Sequence, residues 1–341
     1  MSGAPRVVEA LNAALHAVFA EDERVLLLGE DVLDPYGGAF EATRGLSTRF
    51  PGRVIATPLS EASLVSVATG LALCGDKPIV EFMFGDFIGL AFDSILNLAS
   101  KSVSMYGRTL RLDLLIRCPV GANRGYGPTH SQSPQKHFVG IPNLQLFELS
   151  AFHECEALVR RTLDLGMPAI LFEDKTLYTR RVQGPGPLDE LFRCDRLAEG
   201  CATEYAWLHA EDSRRPRCAL IAPGGMAERC LAAARTLFLE HELECELLVP
   251  SRLHPFDLEP IRERLQAVEH VLVAEEAGPG GTWGAEVAER IHAEPWSRSR
   301  PRVVPVRSRD GVIPAAPHLE RRVVVQAEDV AQAVLEATAD A

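Results

Sequence analysis

The chain has 341 residues, 47% of them apolar and 24% charged, with a formal net charge of −12. That length accommodates two domains of ordinary size with a core each, in the composition range of soluble globular enzymes. The negative balance excludes broad binding to nucleic acid or anionic membrane, both of which need clustered Lys and Arg against phosphate.

Val7, Leu11, Leu15 and Val18 fall on one helical face, so the chain opens on an amphipathic helix, not a targeting segment. A mature cytoplasmic start is expected. No run approaches the roughly 18 apolar residues of a membrane-spanning helix. Short Val/Ile/Leu-rich runs follow at 24–30, 53–57, 78–82, 112–117, 144–149 and 169–173, with helical stretches near 61–74, 86–106 and 152–165. Strands separated by helices predict a parallel sheet covered on both faces. The segment Ile88–Ala99 is apolar nearly all round and should be covered on every side, by a subunit interface in the favoured reading.

Gln183-Gly184-Pro185-Gly186-Pro187 is turn chemistry and 210–217 is charged, so residues 183–217 are expected to be a linker between domains at 1–182 and 218–341. The second domain predicts strands at 218–222, 244–249, 270–274, 303–307 and 322–325. Its helices are expected at 226–240, 258–267, 282–293 and from about 328. Eight scattered cysteines without a C-x-x-C pair point to buried free thiols, not to a disulfide framework or zinc site.

Several polar and aromatic residues fall at strand exits. Glu61, in Thr57-Pro58-Leu59-Ser60-Glu61, follows a strand and opens a helix, with Ser60 as the expected N-cap. Ordinary capping explains it on residue type alone, yet the carboxyl edge of a parallel sheet is also where ligands bind. His130 lies on the loop Gly127-Pro128-Thr129-His130-Ser131-Gln132-Ser133, where a histidine near a cleft can move protons at neutral pH. Ser131, Gln132 and Ser133 are expected to orient its ring. Phe87 and Glu30 leave two further strands; a core place and a solvated place are their default readings. Gly278–Gly284 fails G-x-G-x-x-G at Trp283, and no P-loop, H-E-x-x-H or G-x-S-x-G is present.

As an ordered set, Leu28–Val32 with Gly37-Gly38, Thr57–Glu61, Glu81–Phe87, Gly125–Ser133, Ile141–Leu144, Arg252–Asp257 and Glu275–Ile291 resembles the β subunit of thiamine-diphosphate-dependent E1 components of 2-oxo acid dehydrogenases. The resemblance implies two parallel-sheet α/β domains, a transketolase-like pyrimidine-binding domain followed by a transketolase C-terminal domain. It implies that Glu61 hydrogen-bonds N1′ of the aminopyrimidine, favouring the tautomer that removes the thiazolium proton. Leu59 and Phe87 line the ring, Glu30 stands near the cofactor, and His130 faces the reacting centre.

The family's G-D-G motif for Mg²⁺ and diphosphate is missing, since Gly75-Asp76 is followed by Lys77 and Gly85-Asp86 by Phe87. A separate E1 α subunit must therefore bring Mg²⁺ and the diphosphate half of the site, in an α2β2 assembly, with a lipoyl-bearing E2 as acyl acceptor. The family's potassium (K⁺) loop here departs from pattern as Asp164-Leu165-Gly166-Met167-Pro168. Two other functions stay open: acetoin cleavage or another thiamine-dependent acyl or ketol transfer, and a non-catalytic scaffold subunit, against which Glu61 and His130 argue.

Overall fold

A computed structural model describes residues 3–201, 203–211 and 216–339. The opening helix Val7–Glu21 buries Val7, Leu11, Leu15 and Val18, the face its spacing predicts. Six strands follow: β1 (Val25–Gly29), β2 (Val54–Ala56), β3 (Lys77–Glu81), β4 (Leu115–Val120), β5 (Gln145–Leu149) and β6 (Ala169–Asp174). All pairings among them are parallel. Helix Val7–Glu21 and helix Cys155–Leu163 cover one face of this sheet, and helix Glu61–Leu73 with residues 85–103 covers the other.

The stretch expected as a linker instead supplies three strands, β7 (Gly186–Pro187), β8 (Phe192–Leu197) and β9 (Tyr205–Ala210). Charged residues alternate with buried Phe192 and Cys194 along β8, the pattern of a half-solvated strand, and this hid it among turn-like residues. Residues 212–215 of that stretch lie outside the described residues. The chain continues through β10 (Cys218–Ile221), β11 (Cys245–Pro250), β12 (Arg252–His254), β13 (His270–Glu275) and β14 (Arg302–Arg307). The second sheet runs β14-β13-β10-β11-β9-β8-β7, parallel as far as β11 and antiparallel beyond it.

Strand β12 crosses back to the first sheet, giving it the order β12-β5-β6-β4-β3-β1-β2. One apolar cluster therefore runs from Leu28 and Ile116 through Leu253 to Val273 and Trp283, welding the two units together. One further expectation is corrected. Residues 322–325 are no strand: Pro317 starts a helix Pro317–Val323, preset by its fixed φ. The apolar run 86–106 is wound as a 3₁₀ turn (Gly85–Ala91), a π segment (Ser94–Ala99) and a short α turn. Ile88 and Ile95 are buried, but Leu90 is 64% exposed, so the run is not covered on every side by its own chain.

Candidate active site

Strands β3, β1 and β2 lie side by side in parallel, with Gly29 level with both Ala56 and Glu81. Their carboxyl ends therefore open onto one edge, and this register brings Glu30, Thr57–Glu61 and Phe84–Phe87 together. Glu30 is only 8% exposed, which corrects its default reading as a solvated residue. Its Oε1 is buried without a hydrogen-bond partner. Burial, then the neighbouring charges of Glu61 and Asp31, push its carboxyl above the usual range. Glu61 is the first residue of its helix and half-buried, and its carboxylate has no hydrogen bond or ion pair among the described residues. Ser60 does not cap that helix; its hydroxyl donates to Ser63 Oγ at 2.8 Å. Leu59 is 81% exposed, an apolar side chain left in the open beside two unpaired acids.

His130 stands on the loop that leaves β4. Its ring meets Phe84 edge-on at 4.7 Å and Phe87 at 5.3 Å, while Tyr126 closes on Phe84 at 5.8 Å. Phe87 is thus a wall of the histidine's pocket, half-buried and not a core residue. The ring is oriented by Thr129, whose Oγ1 lies 2.9 Å from Nδ1, and not by the three residues after it. Gln132 instead bonds Asp86 through its backbone and side-chain nitrogens, at 3.2 and 2.8 Å. Ser133 donates to Glu276 at 2.9 Å, and the Ser131 hydroxyl is buried without a partner. With Nδ1 engaged, Nε2 is the nitrogen left to exchange a proton with a ligand. Behind Phe84 lies Lys175, fully buried, its ammonium 5.6 Å from the ring and its pKa pushed down by burial.

The second unit holds this loop in place. Glu276 accepts hydrogen bonds from Ala122 N at 2.7 Å and from Ser133 Oγ, and is itself paired with Arg229 at 2.5 Å. Glu320 accepts from Asn123 N at 2.9 Å and Gly125 N at 3.2 Å. Beneath the edge, Arg117 bridges Glu81 and Glu173 with every group buried, and Tyr178 donates to Glu173 at 2.6 Å. Glu81 also accepts from Ala39 N, and a Cβ added at Gly38 would collide with that carboxylate, so the loop after β1 passes where only glycine fits.

Phe84, Tyr126, Thr129, Glu276 and Glu320 were not singled out by the sequence. Phe84 and Thr129 lie within the motifs and could have been found as neighbours of Phe87 and His130. Glu276 lies within the motif stretch Glu275–Ile291 and Glu320 outside all such stretches, but both act from more than 140 positions away and nothing local ties either to the histidine loop.

The residues at the edge are compatible with the aminopyrimidine half of the cofactor site that the resemblance implies: a carboxylate without a partner among the described residues at Glu61, a second orphaned carboxyl oxygen on Glu30, and apolar or aromatic faces at Leu59 and Phe87. The loop that the resemblance assigns to potassium is already engaged within the chain. The carbonyls of Asp164, Gly166 and Pro168 already accept from Arg111 Nη2 (2.9 Å), Leu112 N (3.0 Å) and Gln145 N (3.0 Å). Lys77 adds its own ammonium to the Asp164 carboxylate at 2.6 Å. Among the described residues, no three His, Cys, Asp or Glu side chains are arranged to hold a metal ion.

Residues 4–181 match the family of the transketolase pyrimidine binding domain, and residues 210–330 that of the transketolase C-terminal domain. The chain is 30% identical to pyruvate dehydrogenase E1 component subunit beta-3 of Oryza sativa, over 96% of its length and 80% of the relative's. It belongs to the E1 β-subunit family, built of transketolase domains. Other members include 2-oxoisovalerate dehydrogenase subunit beta 2 of Arabidopsis thaliana, 32% identical over 83% of this chain and 75% of the relative. Another is the acetoin:2,6-dichlorophenolindophenol oxidoreductase subunit beta of Cupriavidus necator, 29% identical over 95% and 94%. The fold matches a split-gene transketolase, an inactive beta4 tetramer, with a TM-score of 0.72, 22% identity and 97% coverage of both chains.

Proposed function

We propose that this chain is the β subunit of a heteromeric thiamine-diphosphate-dependent E1, which decarboxylates a 2-oxo acid and passes the acyl group to lipoamide on E2. The observation that carries the proposal is the pair of unpartnered carboxylates, Glu30 and Glu61, at the sheet edge. Burying such groups is costly unless something completes them. Glu61 would hold the aminopyrimidine through its ring nitrogen, with Leu59 and Phe87 against the ring. When bound, the cofactor supplies the carbon nucleophile and the electron sink that decarboxylation requires. His130 Nε2 would give or take the proton at the substrate oxygen, its ring held by Thr129 and boxed by Phe84 and Phe87. Glu30, kept more easily protonated by burial, is suited to share a proton with Glu61.

The diphosphate and Mg²⁺ would be held by an α subunit, for which the exposed Leu59 and Leu90 offer apolar contact. No helix among the described residues is long and apolar enough to cross a membrane, and a cytoplasmic assembly is the proposed setting. Co-expression with the partner subunit tests the proposal. A 2-oxo acid panel with an artificial electron acceptor should show decarboxylation only when partner, thiamine diphosphate and Mg²⁺ are all present. The similarity to the acetoin oxidoreductase subunit supports a second reading, acetoin cleavage, and turnover of acetoin in place of every 2-oxo acid would favour it. A reconstituted pair that binds no cofactor would leave a scaffold role.

A further inference from the structure

The first residues of β10 and β11 are both cysteines, and they face each other. Cys218 and Cys245 are directly paired in the parallel ladder, so their side chains project to the same face of the sheet. Neighbouring strands lie about 4.7–4.9 Å apart. That spacing falls within the roughly 4.4–6.8 Å between Cα atoms that a disulfide spans. The two sulfurs are already 3.0 Å apart, with nothing between them. Among the described residues no other two cysteine sulfurs lie within hydrogen-bonding distance; Cys118, Cys155, Cys194 and Cys230 are buried free thiols, Cys230 in the same core cluster as the pair, and Cys74 and Cys201 are exposed.

Both cysteines are buried, Cys218 fully and Cys245 at 5% exposure, at the first position of their strands. One residue outward, Arg217 is exposed and Glu244 half-buried, with Arg217 N donating to Glu244 O at 2.9 Å to close the ladder. Cys245, the less buried of the two, is the sulfur that a small oxidant meets first, and the rest of the sheet behind the pair is packed core.

We infer that Cys218 and Cys245 are a modification site, a dithiol that a peroxide converts to a reversible disulfide. One sulfur attacks the peroxide O–O bond, becoming a sulfenic acid and releasing one water. The second thiol then attacks that sulfur, the S–S bond forms, and the sulfenic oxygen leaves as the second water. Two thiols and one hydrogen peroxide give one disulfide and two waters. Two electrons pass from the sulfurs to the peroxide oxygens, and both thiol protons end in water. The new bond closes a loop containing helix Met226–His241, which restricts the unfolded chain and stabilises the second unit. The pair lies in the second unit, away from the carboxyl edge of the first sheet, and the inference does not depend on the proposed activity.

The full-length chain is treated with hydrogen peroxide, alkylated, and mapped by peptide mass spectrometry, with melting followed in parallel. Exposed Cys74 and Cys201 report that the oxidant acted. The expected result is one cross-linked peptide joining 218 and 245, lighter by two hydrogens, opened by dithiothreitol and absent from Cys218→Ser and Cys245→Ser. The melting temperature should rise on oxidation and return on reduction. Finding both thiols free while Cys74 and Cys201 are oxidised would overturn the inference. So would a cross-link to Cys230, or one that dithiothreitol does not open.

Discussion

The carboxyl edge of the first sheet and the seam between the two units are both rich in carboxylates, and they treat them oppositely. At the seam every acid that holds the histidine loop is matched: Glu276 takes Arg229, Ala122 N and Ser133, and Glu320 takes two backbone N–H groups. At the open edge, among the described residues, Glu61 has no partner and Glu30 keeps a buried oxygen unbonded. Matched buried acids fix geometry; unmatched ones store an interaction that something outside the chain must complete. The same contrast separates the closed apolar core around Trp283 from Leu59 and Leu90, which stand in solvent.

This contrast can be broken by substitution. The largest effect expected is on turnover: in the reconstituted complex Glu61→Gln should lower the rate by roughly 10²–10⁴-fold and leave melting unchanged. A variant with near-normal turnover would remove Glu61 from the chemistry. The largest effect on stability should come from Arg117→Ala, which strands Glu81 and Glu173 in the core. Breaking a buried pair costs about 3–5 kcal/mol, and urea unfolding of the isolated chain measures it.

Glu320→Ala leaves two loop donors unpaired, for about 1–3 kcal/mol. Hydrogen exchange should speed up across residues 121–127 while the helix Val7–Glu21 is unaffected. Exchange that stays slow in the loop would show that Glu276 alone holds it.

A further effect, read as a slope and not as a loss, is a pH dependence at the seam. Burial, with Asp174, Glu276 and Glu275 nearby, pushes Glu148 up to about 8 from an ordinary 4.5. The folded state thus keeps a proton that the unfolded chain releases, so this group's contribution is full below 4.5 and is lost as pH rises to about 8. Glu148→Gln should flatten the fall in melting temperature over that window. Buried His153 acts with the opposite sign: burial lowers it from 6.5 to about 4, so its contribution is present above 6.5 and lost as pH falls to about 4. A wild-type profile parallel to that of Glu148→Gln between pH 5 and 8 would show that Glu148 titrates as an ordinary acid.

Much of this was legible in the residues because the first sheet is buried on both faces and its strands are short apolar runs. The helix from Val7 was equally plain from its spacing. Strand β8 was not, since one of its sides carries charge, and β9, though nearly all apolar, went unread inside a stretch of turn and charged residues. The 322–325 segment misled because Val323, Val324 and Val325 look like a strand, although Pro317 and the docking of Glu320 onto the histidine loop make a helix there. At the site, Glu61, Phe87 and His130 were singled out from motifs. Ser131, Gln132 and Ser133 were assigned to His130 by adjacency alone, and their side chains turn out to serve Asp86 and Glu276 or no one.

By itself the sequence determined the alternation of apolar runs, the position of each motif at a strand exit, and the lack of a diphosphate motif. These are local properties, set by side-chain type and spacing. Only the tertiary structure decided that Glu30 is buried beside Glu61, that the carbonyls of the 164–168 loop accept from the chain's own donors, and that acids beyond residue 270 hold the histidine loop. Those depend on strand register and on two units packing across a shared core, and burial and charge pairing have no value until that packing exists.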